Sequence, residues 1–192
     1  MTTFNTSIAA SSDDAQQIDS TVTLTGNTVG LYWTGYHVGL RFTNVTIPAG
    51  ATVTNAHITL TVPGAGDDTP GELTITANDV DDAATFTTAS NNISGRAKTT
   101  ASVSWTGTDI GTGAKNSPDI KTVIQEIIDR AGWTSGNNIA ILLQGSTSSR
   151  FAFYAYDRGS YIPSITIEYT TEGGGPARER VVYLSGGIEV YP

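Results

Sequence analysis

Two stretches of this chain alternate so strictly that they leave little freedom of fold. In YHVGLRF, residues 36–42, Tyr36, Val38, Leu40 and Phe42 share one side of an extended chain, and His37, Gly39 and Arg41 share the other. AHITLTV, residues 56–62, repeats the pattern: Ala56, Ile58, Leu60 and Val62 stand opposite His57, Thr59 and Thr61. A period of two belongs to a strand, where successive side chains point to opposite faces. Each stretch therefore predicts a strand with one apolar face. That face needs a sheet around it and a second layer over it.

Similar segments recur at short spacing. TVTLTGNTVGLYW (21–33) reads as two strands around a turn at Gly26–Asn27. ELTITAND (72–79), ASVSW (101–105), RFAFYAYD (150–157) and IPSITIEY (162–169) read as further strands. NNIAILLQG (137–145) is nearly all apolar, as a central strand buried on both faces would be. IPAGA (47–51) and PGAGDDTPG (63–71) are turns, and residues 79–100 read as polar and irregular. With 38% hydrophobic residues, 15% charged and 21 glycines, the chain is a folded, turn-rich β protein rather than a disordered one.

One helix interrupts the strands. Ser117 predicts an N-cap, Pro118 the first helical position, and Asp119 a favourable first-turn charge. Ile120, Val123, Ile124, Ile127 and Ile128 form its apolar face, while Lys121, Thr122, Gln125, Glu126 and Asp129 face water. Gly132 is expected just past its end, with Trp133 folding back over Ile128. The expected fold is all-β: an antiparallel, jelly-roll-like β-sandwich over residues 1–170 with this helix packed on it. A glycine-rich tether (171–179) and a C-terminal β-hairpin (180–192) follow.

Charge and composition exclude whole classes of function. The net charge is -8 and the ten basic residues are scattered. Nucleic acid needs a concentrated basic surface, so it is not an expected partner, and neither is an anionic membrane. No cysteine is present, which removes disulfides and thiolate chemistry. No apolar run reaches membrane-spanning length, and MTTFNTSIAASSDD lacks the features of a secretory signal.

Reactive constellations are sparse. His37 and His57 are the two histidines, both at outward strand positions; they read as surface residues rather than zinc ligands. No nucleophile elbow, P-loop or dinucleotide fingerprint appears, and the expectation is that the chain is not an enzyme. Acids cluster at Asp13–Asp14, Asp67–Asp68 and in NDVDDA. Within that last group Asn78, Asp79, Asp81 and Asp82 are the candidate ligands of a structural calcium, set against their reading as turn and capping acids. No other cofactor is expected. Tyr32, Trp33 and Tyr36 flank a turn at Thr34–Gly35, and Tyr154 and Tyr156 alternate with Phe153. Trp33, Tyr36, Tyr154 and Tyr156 are candidate contacts for a sugar ring or a partner protein, with Trp33 as core the competing reading.

The tail carries the strongest hint of function. RVVYL and IEVY read as strands around Ser185–Gly186–Gly187, pairing Leu184 with Ile188 and Val182 with Val190. Val181, Val182, Tyr183, Leu184, Ile188, Val190 and Tyr191 then make both faces largely apolar. Such a hairpin is marginal alone and has to dock, preferably on another subunit.

Several segments together resemble a known family. They are Asp13–Asp14, VGLRFTNVTIPAGATVTNAHITLTV (38–62), the strand ending at Trp105, SPDIKTVIQEIIDRAGWTSGN (117–137), Arg150 and the strand 163–169. This pattern is similar to the carbohydrate-binding-module-like, DNRLRE-type β-sandwich domains of secreted and surface proteins of bacteria and archaea. The resemblance spans roughly residues 5–169, rests on turns and core rather than a reactive centre, and implies a non-catalytic accessory sandwich that in some members binds polysaccharide. The first expectation is a structural virion protein of a phage: a capsid decoration, cement or tail-associated component that binds copies of itself or capsid and tail proteins. The alternatives are a polysaccharide-binding module that is secreted or at the cell surface, and a filament or surface-layer subunit.

Overall fold

The alternating stretches of the body fold as strands, although the one read over 150–157 ends at Tyr154 and gives way to a 3-10 turn. The computed structural model describes residues 1–171 and the two strand segments 182–184 and 187–189. The chain opens with β1 (Thr2–Ser7), β2 (Asp14–Ile18), β3 (Thr21–Thr23), β4 (Thr28–Leu31), β5 (Tyr36–Phe42) and the long β6 (Thr52–Val62). β7 (Asp68–Thr69), β8 (Gly71–Ala77), β9 (Val103–Gly107) and β10 (Gly113–Asn116) lead to helix α1 (Lys121–Ile128). β11 (Ile139–Gln144), β12 (Arg150–Tyr154) and β13 (Ser164–Thr170) follow it, then β14 (Val182–Leu184) and β15 (Gly187–Glu189).

The body is an all-β, sandwich-like fold. One sheet has the order β1-β13-β6-β10, a second β3-β2-β5-β11-β8-β9 and a third, smaller one β4-β12-β7. Every pairing is antiparallel. The main core joins the sheets: Ile58, Leu60, Ile165 and Ile167 from the first meet Val38, Leu40, Phe42, Leu73, Ile75 and Ile141 from the second, with Phe151 and Phe153 from the third. The apolar face of α1, Val123, Ile124, Ile127 and Ile128, adds to the same core.

A second, smaller core lies on the other side of the six-stranded sheet, and the irregular segment 79–100 supplies it. Ala83, Phe86 and Ile93 pack there on Ala15, Val22, Ala140 and Leu142. This is why β11 is apolar throughout: Ile139, Ile141 and Leu143 face one core, Ala140 and Leu142 the other. Gln17 fastens the segment from below. Its carboxamide oxygen accepts the Ile93 and Ser94 N–H groups at 3.0 and 2.9 Å, and its NH₂ donates to the Ser94 hydroxyl at 2.7 Å. Gly39 leaves the room Phe86 needs, since a Cβ there would stand 2.2 Å from the ring.

Two local expectations give way to tertiary pairing. β3 and β4 do not form a hairpin across Gly26–Asn27; β3 pairs with β2 and β4 with β12. The helix starts later than its cap signals suggest, because residues 117–120 are recruited by β6. Ser117 N–H donates to the Ile58 carbonyl, the Ile58 N–H donates to the Ser117 hydroxyl, and Ile120 N–H reaches the Ala56 carbonyl. Asp119 then accepts both the Ala56 and Lys121 N–H groups. At the far end Gly132 packs under the Asp81 carboxylate and does not take a left-handed turn. The Asp81 carboxylate would lie 2.1 Å from a Cβ at that position. Trp133 is buried, and its indole N–H donates to the Ile47 carbonyl at 3.0 Å.

Candidate functional site

The turn between β4 and β5 carries an aromatic patch. Tyr36 N–H closes the turn onto the Trp33 carbonyl at 3.0 Å, with Thr34 and Gly35 at its tip. Trp33 is 52% exposed and so is not core. Its ring meets Tyr36 edge to face with centroids 4.5 Å apart, and Tyr36 in turn meets Tyr32 at 5.5 Å. Ile18, exposed at the end of β2, stands directly across from Tyr36. Ile18, Trp33 and Tyr36 thus form an apolar surface with polar groups at its border. Asp19 adopts a left-handed backbone, and its carboxylate lies over Gly35, where a Cβ would meet Oδ1 at 2.6 Å. The Tyr32 hydroxyl donates to Asp67 at 3.3 Å. Burial first, and then the Asp67 charge, raises the Tyr32 pKa. Ile18 and Asp19 escape a reading of the sequence because strand pairing, not chain distance, brings them to the turn.

Tyr154 and Tyr156 do not act as a pair. Tyr156 lies in a 3-10 turn at residues 156–158 and packs partly against the main core. Tyr154 instead stacks with Tyr161, centroids 5.7 Å apart, and the Arg158 guanidinium covers Tyr154 at 4.0 Å. Tyr161 is 62% exposed and holds φ at 61°. That backbone conformation is uncommon for a bulky residue, and nothing in the sequence marks it.

The acidic groups are committed to structure. Arg130 donates to Asp81 at 2.7 Å and also to Asp79, tying the end of α1 to the segment after β8. Asp82 accepts the Asn138 backbone and side-chain N–H groups, and the Asn78 side chain bonds Ala97 and Arg96. A guanidinium therefore sits where a cation bound by Asp79 and Asp81 would sit, and Asn78 and Asp82 turn to other partners. These residues do not fit a calcium site, and among the described residues no group of three or more His, Asp or Glu side chains converges on one point.

Asp13 and Asp14 are both buried. Asp13 pairs with Arg41 at 2.6 Å, and Arg41 also donates to the Ala83 carbonyl. Asp14 accepts the Tyr156 N–H at 2.6 Å, yet burial pushes its pKa up to about 6, with Asp157 and Asp13 adding to the rise. Asp157 takes the Gly26 N–H at 2.9 Å and the Ser11 hydroxyl. These carboxylates join the start of β2 to the loop after β12.

The histidines are not neighbours. His37 lies on β5 of the six-stranded sheet and His57 on β6 of the four-stranded sheet. His37 is half-buried, and burial together with Lys98 lowers its pKa. Two open hollows of about 500 and 460 Å³ flank α1. Several of their polar side chains hold the surrounding backbone. Glu126 accepts the Thr100 and Ala101 N–H groups, and Gln125 clasps both backbone groups of the Ala51–Val53 stretch and the Asp129 carboxylate.

In the tail, β14 and β15 pair as Val182 with Glu189, Tyr183 with Ile188 and Leu184 with Gly187. This differs by one residue from the register expected of a three-residue loop. The hairpin forms a two-stranded sheet that shares no ladder with the body among the described residues. Val181, Val190 and Tyr191 lie outside the described residues, as does most of the tether. No family model matches this chain, and no curated protein matches it.

Proposed function

We propose that this chain is a non-catalytic structural and assembly protein, a virion component of the decoration, cement or tail-associated kind, docked through its C-terminal hairpin. The observation that carries the reading is the isolation of β14 and β15, which pair with each other and with no strand of the body among the described residues. A two-stranded sheet is marginal in water and leaves backbone donors and acceptors on both edges. Docking on another subunit satisfies them. The body supports the reading by its construction: its buried acids and long polar side chains clamp loops to sheets rather than surround a reacting group.

Deletion of residues 173–192 is the test. The expected product is a folded body that no longer associates, read by light scattering on the isolated chain and by co-sedimentation with particles that carry the full chain. A folded body whose association is unchanged in both measurements overturns the reading.

The aromatic patch favours a second reading, a polysaccharide-binding module. A half-exposed Trp beside a Tyr, bordered by a carboxylate, suits the apolar face and the hydroxyls of a pyranose ring. On a glycan array the expected result for this reading is binding that Trp33→Ala removes while the unfolding transition stays in place. An empty array counts against it.

A further inference from the structure

Among the described residues one long strand edge is open, and it is the edge beside which β13 ends. β1 is the outer strand of the four-stranded sheet. It has six residues, against five in β9, four in β10 and three in β3. Its sequence TTFNTS holds no charge and no proline, and its register with β13 is unbroken from Thr2–Tyr169 to Ser7–Ser164. Natural proteins usually protect such an edge with a charge, a proline, a bulge or a cover.

The direction of its free groups follows from one hydrogen bond. Ile8 N–H donates to the Pro163 carbonyl at 3.0 Å, continuing the β1–β13 register. Bonded and non-bonded pairs alternate along an antiparallel ladder. Thr2, Phe4 and Thr6 therefore turn their backbone groups to β13, and Thr3, Asn5 and Ser7 turn theirs outward. Among the described residues, the N–H groups of those three find no acceptor. On the inner side, Phe4 is only partly buried at the rim of the main core. A further strand would pair the outward groups and shelter Phe4.

We infer that β1 is the acceptor edge for the C-terminal hairpin of a second copy of this chain. This deepens the assembly reading above and rests on it. The chain leaves β13 at Thr170, next to the residue facing Thr2, so the donor emerges about one strand spacing, ~4.8 Å, from the acceptor. Residues 171–181 span at most roughly 36 Å when extended, enough to reach along or across a neighbour. Within one copy the hairpin pairs only with itself and β1 only with β13 among the described residues, so each copy presents both a donor and an acceptor. Charge does not oppose the union. Residues 173–192 hold two Arg and two Glu, and β1 holds no charged side chain, in a chain whose net charge is -8.

Asn5→Pro in the full chain tests the edge. It removes an outward N–H and no bond to β13, and proline is tolerated on an edge strand. Light scattering at tens of micromolar is expected to give the full chain at least twice the mass of one 20.1 kDa copy. Asn5→Pro and the deletion of residues 173–192 are each expected to return it to a single copy, and Asn5→Thr is expected to leave association intact. Hydrogen exchange on the full chain supplies a readout that does not depend on the proline variant folding. Protection of the Thr3, Asn5 and Ser7 amides should fall at least tenfold when the tail is removed. If tail deletion dissociates the protein while Asn5→Pro does not, and the β1 amides are indifferent to the tail, the hairpin docks elsewhere; the inference fails and the assembly reading survives. A full chain that stays single overturns the inference outright, and co-sedimentation with particles then judges the broader reading by itself.

Discussion

Asp14 shows how one buried side chain ties stability to pH. Its folded pKa, about 6, lies above the ordinary 3.8, and burial is the main cause. A raised carboxylate favours folding while protonated, so its contribution is full below pH 3.8 and is lost as pH rises through 6. The difference is on the order of 3 kcal/mol. Asp14→Asn keeps an oxygen for the Tyr156 N–H and carries no charge. Urea midpoints are expected to rise at pH 7.5 and change little at pH 4, which flattens the pH dependence. Gly39 is the second sensitive residue. Gly39→Ala drives a methyl group into the Phe86 ring and is expected to cost about 1–3 kcal/mol. Combined with Phe86→Leu it should cost less than the two changes summed, because the smaller side chain vacates the contested space.

At the scale of elements, the segment between β8 and β9 shows most about folding. Its composition reads as loop, yet Phe86 and Ile93 are fully buried and cover one face of a six-stranded sheet. Phe86→Ala is expected to destabilise by about 3–5 kcal/mol, measured by chemical denaturation. Arg96 lies 4.2 Å over the Phe86 ring and bonds the Ala84, Thr85 and Asn92 carbonyls, so the loop holds its shape through one side chain. Helix α1 is anchored in a similar way. Trp133→Phe strands the Ile47 carbonyl and leaves a void where the five-membered ring was, at a combined cost of about 2–4 kcal/mol. The apolar stripe of α1 was legible from spacing alone; its starting residue was not. The competing partner, the open end of β6, lies more than 50 residues earlier in the chain.

For the whole molecule, the described ladders keep the body and the tail hairpin apart. Among the described residues, every member of the main core lies at or before Tyr169. A chain ending at residue 171 is therefore expected to keep the thermal midpoint of the full chain measured in dilute solution, where association is absent. A fall of more than a few degrees would show that the tail stabilises its own body. The aromatic patch behaves in the same way: removing Trp33 changes the surface and leaves the core in place.

Strand alternation, an amphipathic helix and a tethered apolar hairpin are local patterns, governed by backbone geometry and by water's exclusion from apolar faces. The chain's own order of residues was enough to set the all-β class, most strands and the helix face. Partner choice lies beyond that reach. Only tertiary pairing sent β3 to β2 and β4 to β12, brought Ile18 and Asp19 to Trp33, placed Arg130 between Asp79 and Asp81, and gave β1 a single partner strand, β13, among the described residues. Each of those outcomes is a competition between distant segments for the same backbone groups or the same space, and its winner depends on how all the strands pack at once.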